Sequence, residues 1–305
     1  VLCNSRTECR SKRNFESIQS KILCERKQNP LRVLLSCFSV VKFSPGRIVK
    51  FLIIKKTIDK LKKCAIIINV RNRKEIEIMD KRISYKLVID TETCPINKDV
   101  DGVFPSNMWT YDVGWAVVDK RGKVYRTRSF VNADIFCGEK ELMRSAYYAK
   151  KIPQYWEDIK SGKRTLTSFA KIRKTLFADI KEYGITEIYA HNMRFDYGTL
   201  NVTQRWITKS ASRFFFPYGI EICDTLKMAR DVLGNMPTYK AFCERNNYLT
   251  KNGACRFTAE IIYRFISGKN DFVEEHTGLA DVLIEKEILA YCYRQHKKMR
   301  RHLWK

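Results

Sequence analysis

Between residues 166 and 183 apolar side chains recur at intervals of three and four: Leu166, Phe169, Ile172, Leu176, Phe177, Ile180 and Tyr183, with Gly184 next. That period lays one apolar stripe along a helix, and the glycine suits a left-handed C-cap, so a helix is predicted there. Residues 85–90 are a continuous apolar and β-branched run that ends on acid, the profile of a buried strand whose end faces a site. Residues 112–118 and 122–130 read as two further strands, joined by the turn-forming Asp119-Lys120-Arg121-Gly122, which makes an antiparallel meander with the first. Strand and helix then alternate: a strand over 186–190, a helix over 195–207, a strand over 221–224, a helix over 225–233 and a last helix over about 279–293. Such alternation after a meander predicts an α/β fold, a mixed sheet flanked by helices. No repeat or low-complexity linker interrupts residues 79–305, which are therefore read as one domain.

Charge changes the picture at the N-terminal end. Of the chain's formal net charge of +25, residues 1–78 hold +13, with 19 Lys+Arg against 6 Asp+Glu, and they contain one Gly and no Met or His. Folded functional domains draw on Gly and His for turns and sites, so this stretch is unlike the rest. Met79 is the first methionine. Lys74-Glu75, just upstream, is encodable by the purine-rich hexamer of a ribosome-binding signal, with three codons as spacer. Residues 1–78 are thus expected to be upstream sequence translated in frame, ahead of a domain over 79–305. The alternative is a basic extension that binds nucleic acid or a membrane surface. Apolar runs at 33–41 and 64–70 fall short of the roughly 18 residues of a membrane span, and no signal-peptide layout precedes them, so a cytoplasmic protein without a membrane partner is expected. The 11 cysteines include no Cys-x-x-Cys pair and are read as reduced thiols, mostly packing.

Three acidic constellations carry the candidate chemistry. Asp90-Thr91-Glu92 puts two carboxylates on one side of a strand, and paired hard oxygen ligands suit Mg²⁺ or Mn²⁺. Alone it is weak, since Asp-x-Glu arises by chance about once in a chain of this composition. His191-Asn192-Met193-Arg194-Phe195-Asp196 stands where a strand hands over to a helix. Its Asn-x-x-Phe-Asp is expected only about 0.04 times by chance. Asn192 suits an N-cap, with Asp196 pointing back from the first turn toward the sheet. His276-Thr277-Gly278-Leu279-Ala280-Asp281 opens the final helix.

In this order, together with Asp224-Thr225-Leu226, these motifs resemble the DEDDh 3′-5′ exonucleases, the proofreading-subunit-like branch of the ribonuclease H-like superfamily. The match spans most of residues 84–292 and looks like phage and bacterial members. The resemblance implies a ribonuclease H-like mixed five-stranded sheet flanked by helices. It implies Asp90, Glu92, Asp196 and Asp281 as ligands of two divalent cations, Mg²⁺ or Mn²⁺, with His276 as general base. It places substrate contacts at Thr91, Thr93, Asn192 and Phe195. Cys94-Pro95 departs from the family's usual continuation of the first motif, and residues 237–275 form a long stretch before His276, expected as an insertion over the active-site face.

Four carboxylates at one point repel one another, and two cations about 3.5 to 4 Å apart resolve that conflict while stabilising the attacking and leaving oxygens of a phosphoryl displacement. The expected activity is metal-dependent 3′-5′ hydrolysis of single-stranded DNA ends to 5′-mononucleotides. Digestion of RNA ends is the nearest rival, because nothing in the chain reports on a 2′-hydroxyl. A catalytically silent nucleic-acid-binding module is the other, although all five motif residues are present. Proofreading in replication would need a polymerase in trans; repair and scavenging would not. Phosphate contacts are expected from Arg294, Lys297, Lys298, Arg300, Arg301 and Lys305 if these are not simply a solvated helix end. Phe104, Trp109 and Tyr111 are candidates for stacking on bases or for core packing.

Overall fold

The computed structural model of the chain describes residues 80, 82–96 and 107–304. The basic segment 1–78, Met79, Phe104 and Lys305 lie outside these residues, and so does the expected start of the domain.

Strand β1 (Lys86–Pro95) pairs antiparallel with β2 (Met108–Val118), and β2 with β3 (Val124–Asn132). That is the predicted meander. β5 (Glu187–Ala190) joins β1 in parallel and β6 (Glu221–Asp224) joins β5, while β4 (Thr165–Thr167) lies parallel to β3. The order is β4-β3-β2-β1-β5-β6, a mixed sheet flanked by helices. It has six strands where five were expected, because Leu166 belongs to β4. Ser168 then accepts a hydrogen bond from the Lys171 amide and starts helix α4 at Phe169 (Phe169–Tyr183). A side-chain cap, invisible to apolar periodicity, thus trims the predicted helix by three residues. β1 is longer than its apolar run. Its pairing with β2 continues past Asp90, with a register slip between Glu92 and Thr93.

The other helices are α1 (Ala133–Phe136), α2 (Lys140–Arg144), α3 (Ile152–Lys160), α5 (Met193–Thr208), α6 (Thr225–Leu233), α7 (Pro237–Arg245), α8 (Ala259–Ser267) and α9 (Gly278–Arg294). The stretch 237–275 thus holds α7 and α8, each nine residues long, too short to stand on periodicity alone.

Alternation along the central strands feeds two cores. Leu87, Ile89, Val113 and Trp115 pack with Phe169, Ile172 and Leu176 on one face, and Val88, Ala116 and Val118 pack with Met228, Ile262, Val282 and Ile288 on the other. Trp115 satisfies its indole by donating to Asp179 at 3.0 Å, a carboxylate that also receives Arg126 and Arg128. A third cluster buries Trp109 and Tyr111, with Trp109 against Trp206 at 4.1 Å between ring centroids. These two aromatic candidates are therefore core. The six described cysteines are free, and four of them are buried.

α9 crosses the sheet face at Gly114 of β2 without space between the backbones. A Cβ on Gly114 would sit 2.2 Å from Leu279 N, and one on Gly278 would sit 2.7 Å from Gly114 N. Backbone cannot step aside as a side-chain tip can. Gly114→Ala is therefore expected to cost about 3 kcal/mol or more. Gly184→Ala, at φ 59 with no atom within 4 Å, should cost only about 1 kcal/mol of left-handed strain. Urea unfolding of the two variants checks the difference, and equal losses would refute the close crossing.

Candidate active site

β1 presents Asp90 and Glu92 at the floor of a cavity of about 800 Å³. The first helical turn of α9 brings Asp281 to them, so that carboxylate oxygens of all three lie within 4.8 Å of one another. The approach follows from how α9 starts. Asp112, fully buried on β2, accepts from Gly278 N–H at 3.0 Å, from Tyr155 Oη at 2.6 Å and from Arg164 Nη1 at 2.8 Å. Asp112 and Glu92 are register partners on β2 and β1. The anchor of α9 and one of the acids it serves are thus neighbours.

Asp196 is 1% exposed on α5, and its Oδ1 accepts from Thr91 Oγ1 at 2.8 Å. Among the described residues it is not part of the 4.8 Å group, yet it is the neighbouring charge that acts most on Asp90. Asn192 occupies the N-cap position as expected, but in the left-handed region at φ 70 and without a side-chain cap bond. Its amide instead donates to Asp224 Oδ1 at 3.1 Å, and Asp224 also caps α6 through Leu226 N. Thr91, Thr93, Asn192 and Phe195 all line the cavity, with the Thr91 hydroxyl engaged by Asp196.

His276 stands at φ 48 where the chain turns into α9. Its ring stacks on Tyr148 at 4.7 Å, and Nδ1 lies 3.8 Å from Glu274 Oε2. Glu274, His276 and Asp281 form a second group within 4.8 Å. Burial lowers the His276 pKa, and Lys151 nearby pushes the same way. His191 lines the same cavity, but both its ring nitrogens are engaged, one with Phe257 O at 2.7 Å and the other with Thr225 Oγ1 at 3.1 Å, and burial lowers its pKa.

Two acids in the cavity escaped the sequence reading. Glu285 lies one turn beyond Asp281 on α9, 3% exposed, and its Oε2 has no hydrogen-bond partner; the same holds for Asp281 Oδ1. The four-residue spacing was the available signal. Glu274 offered none, because it sits in an irregular segment.

Burial drives every acid here upward, and neighbouring carboxylates add to the shift. Asp90 and Glu285 stand well above the ordinary range; for Asp90 burial acts first and the Asp196 charge next. Glu92 is pushed to about 9 by burial and then by Asp281, with Lys151 opposing. Asp281 is raised to about 8 by burial and Glu274, and Asp196 to about 7 by burial against the Thr91 hydrogen bond. A cluster of this kind, with two buried oxygens unpartnered, fits divalent cations held by Asp90, Glu92 and Asp281.

Three of the basic tail residues make contacts within the fold. Arg300 pairs with Asp231 at 2.7 Å, Arg301 with Glu187 at 3.1 Å, and Lys297 donates to Val232 O at 3.3 Å. Tyr148 and exposed Tyr147 line the cavity, and Trp109 and Tyr111 do not. No described helix is long and apolar enough to cross a membrane.

The chain matches no known protein-family model and no curated protein sequence. Among solved structures it is similar to the nuclease domain of 3'hExo, a DEDDh family member bound to rAMP, at 12% identity and TM-score 0.44 over 73% of this chain and 98% of that one. It is also similar to exonuclease X in complex with 5' overhanging duplex DNA, at 15% identity and TM-score 0.37 over 69% and 92%. A third is S. pombe Pop2p in its Mg²⁺- and Mn²⁺-bound form, at 13% identity and TM-score 0.37 over 71% and 85%.

Raised carboxylate pKa values fix how stability depends on pH. The folded state keeps protons that the unfolded chain releases near its ordinary values of 3.8 and 4.5, so the contribution is present below about pH 4 and is lost as pH rises through about 7 to 9. With divalent ions chelated, the melting temperature is expected to fall across that window, and Mg²⁺ should restore it. A melting temperature that is flat in chelator, or unmoved by Mg²⁺ and Mn²⁺, would contradict a cation-binding cluster.

Proposed function

We propose that the chain is a metal-dependent 3′-5′ exonuclease that acts on single-stranded DNA ends, with its catalytic unit in residues 79–305. The observation that carries this reading is the convergence of Asp90, Glu92 and Asp281 with His276 in one cavity, with buried Asp196 held by Thr91 and acting on Asp90. Asp90, Glu92 and Asp281 would hold two divalent cations, Mg²⁺ or Mn²⁺, with Asp196 completing the set. Bound there, the cations neutralise the acids and stabilise the charge on the attacking and leaving oxygens of an in-line displacement.

The chain's own residues do the rest. His276, whose pKa burial and Lys151 lower, accepts the proton of the attacking water at a ring nitrogen. Tyr148 holds the ring flat against its own and Glu274 sits beside Nδ1. Thr91 fixes Asp196 by hydrogen bond. Lys151, whose Nζ lies 3.5 Å from His276 O, supplies a positive charge beside the acids that suits a phosphate. Thr93, Asn192, Phe195, Tyr147 and Tyr148 form walls able to receive a terminal nucleotide, the tyrosines by stacking.

Mg²⁺-dependent digestion of 3′-labelled single-stranded DNA and RNA, run side by side, tests the reading. Release of 5′-mononucleotides from DNA is expected; activity on neither polymer would reject it, and faster turnover of RNA would transfer it to RNA ends.

Asp196→Ala should lower the rate about a thousandfold, or about 4 kcal/mol of transition-state stabilisation. Retention of more than a tenth of wild-type rate with Mg²⁺ would remove Asp196 from the site. His276→Ala should cut turnover while calorimetric Mg²⁺ affinity stays near wild type, since the imidazole moves a proton. A fall in affinity as large as that of Asp281→Asn would make His276 a ligand instead.

A further inference from the structure

Away from the acidic cavity, the last residues of the chain fold back on β6 as a strap. Leu303 N–H donates to Ile222 O at 2.9 Å and Asp224 N–H to Arg301 O at 2.7 Å, which leaves Cys223 and His302 directly opposite each other. They form a non-hydrogen-bonded antiparallel pair, the kind that brings side chains closest, with Cα atoms about 4.5 Å apart. Glu221 precedes Cys223 by two residues on β6 and so shares its face. The thiol sulfur, a ring nitrogen of His302 and a carboxylate oxygen of Glu221 all lie within 4.8 Å of one another, with His302 Nδ1 3.5 Å from Glu221 Oε2.

We propose that Glu221, Cys223 and His302 form a second metal site, for a borderline-soft divalent cation of the zinc class, which clasps the C-terminal strap to β6. The inference goes beyond the nuclease reading and does not depend on it.

The donor set argues for the ion. Sulfur, imidazole and one carboxylate suit Zn²⁺ or Co²⁺, whereas Mg²⁺ and Ca²⁺ take oxygen ligands. Tetrahedral bonds of about 2.0 to 2.3 Å place ligand atoms roughly 3.5 Å apart, so small side-chain rotations close the site. Cys223 is fully buried while His302 and Glu221 are partly exposed, which gives the ion an entry from solvent and leaves one position for water. Burial pushes the Cys223 thiol up to about 12; Glu187 and Glu221 add to the shift, and a Tyr189 hydrogen bond and Arg301 oppose it. Loading therefore breaks the S–H bond, forms the metal–sulfur bond and passes the proton to solvent. The strap is otherwise held by Arg300 on Asp231, by Arg301 on Glu187, by buried Leu303 and by Lys227, which donates to His302 O at 3.0 Å and Leu303 O at 2.7 Å. The ion would add a bond between side chains of strap and strand to the packing of Leu303 with Ile222 in the core.

Co²⁺ titrated into the reduced full chain is the test, because a thiolate bound to cobalt absorbs in the near ultraviolet and the carboxylates Asp90, Glu92 and Asp281 do not give that band. One equivalent is expected to raise that band and Zn²⁺ to displace it. Cys223→Ser should abolish the band, and His302→Ala should weaken Co²⁺ binding at least tenfold while keeping the metal-free melting temperature. No band in the wild-type chain, or one that survives in Cys223→Ser, would overturn the proposal. Should Cys223→Ser fail to fold, His302→Ala decides alone: unchanged Co²⁺ affinity overturns the site.

Discussion

The Asp112 carboxylate organises the molecule. It is fully buried, and it gathers donors from Tyr155 on α3, from Arg164 before β4 and from the first amide of α9. A buried charge is stable only when paired and hydrogen-bonded, and removing one partner of such a group is costly. The constraint therefore runs outward. β2 must hold Asp112 beside Glu92, α9 must begin at a residue without a side chain, and Gly114 must leave the space through which that helix enters. Once those three conditions hold, Asp281 arrives at Asp90 and Glu92 with no freedom left to choose another position.

The acids so gathered work against folding. Each lies in a place that disfavours its charge, and neighbouring carboxylates add to the shift, at Asp90 most plainly. The neighbouring structure is correspondingly well made: two apolar cores press on the sheet from both sides, and Asp179 ties Trp115, Arg126 and Arg128 together on the far face of β2 and β3. Stability invested there holds an arrangement at the cavity that is unfavourable without counterions.

Much of this was legible in the sequence because it rests on period and on strand ends. The meander, α4 and the alternation after it follow from hydrophobic spacing, and the three acidic motifs lie where strands and helices meet. What escaped was held by single hydrogen bonds or by irregular backbone. Ser168 shortens α4 through one cap, and continued pairing with β2 draws β1 through the acidic pair to Pro95. Glu274 enters the cavity from a segment with no periodicity, and Glu285 looked like any helical glutamate until burial set it apart. Trp109 and Tyr111, which composition alone leaves open, belong to the interior because α1, α3 and α5 cover them.

The strap on β6 bears on how the sheet ends. A strand with free amides and carbonyls is a template on which other chains can add, and proteins guard such margins. Here residues 301–303 occupy part of the outer side of β6, and the opposite margin, β4, is three residues long. Among the described residues, β4 pairs with Phe130–Asn132 of β3 alone. The β6 margin is thus partly closed by the chain's own tail, while residues 124–129 of β3 keep an outer edge on which another strand could add.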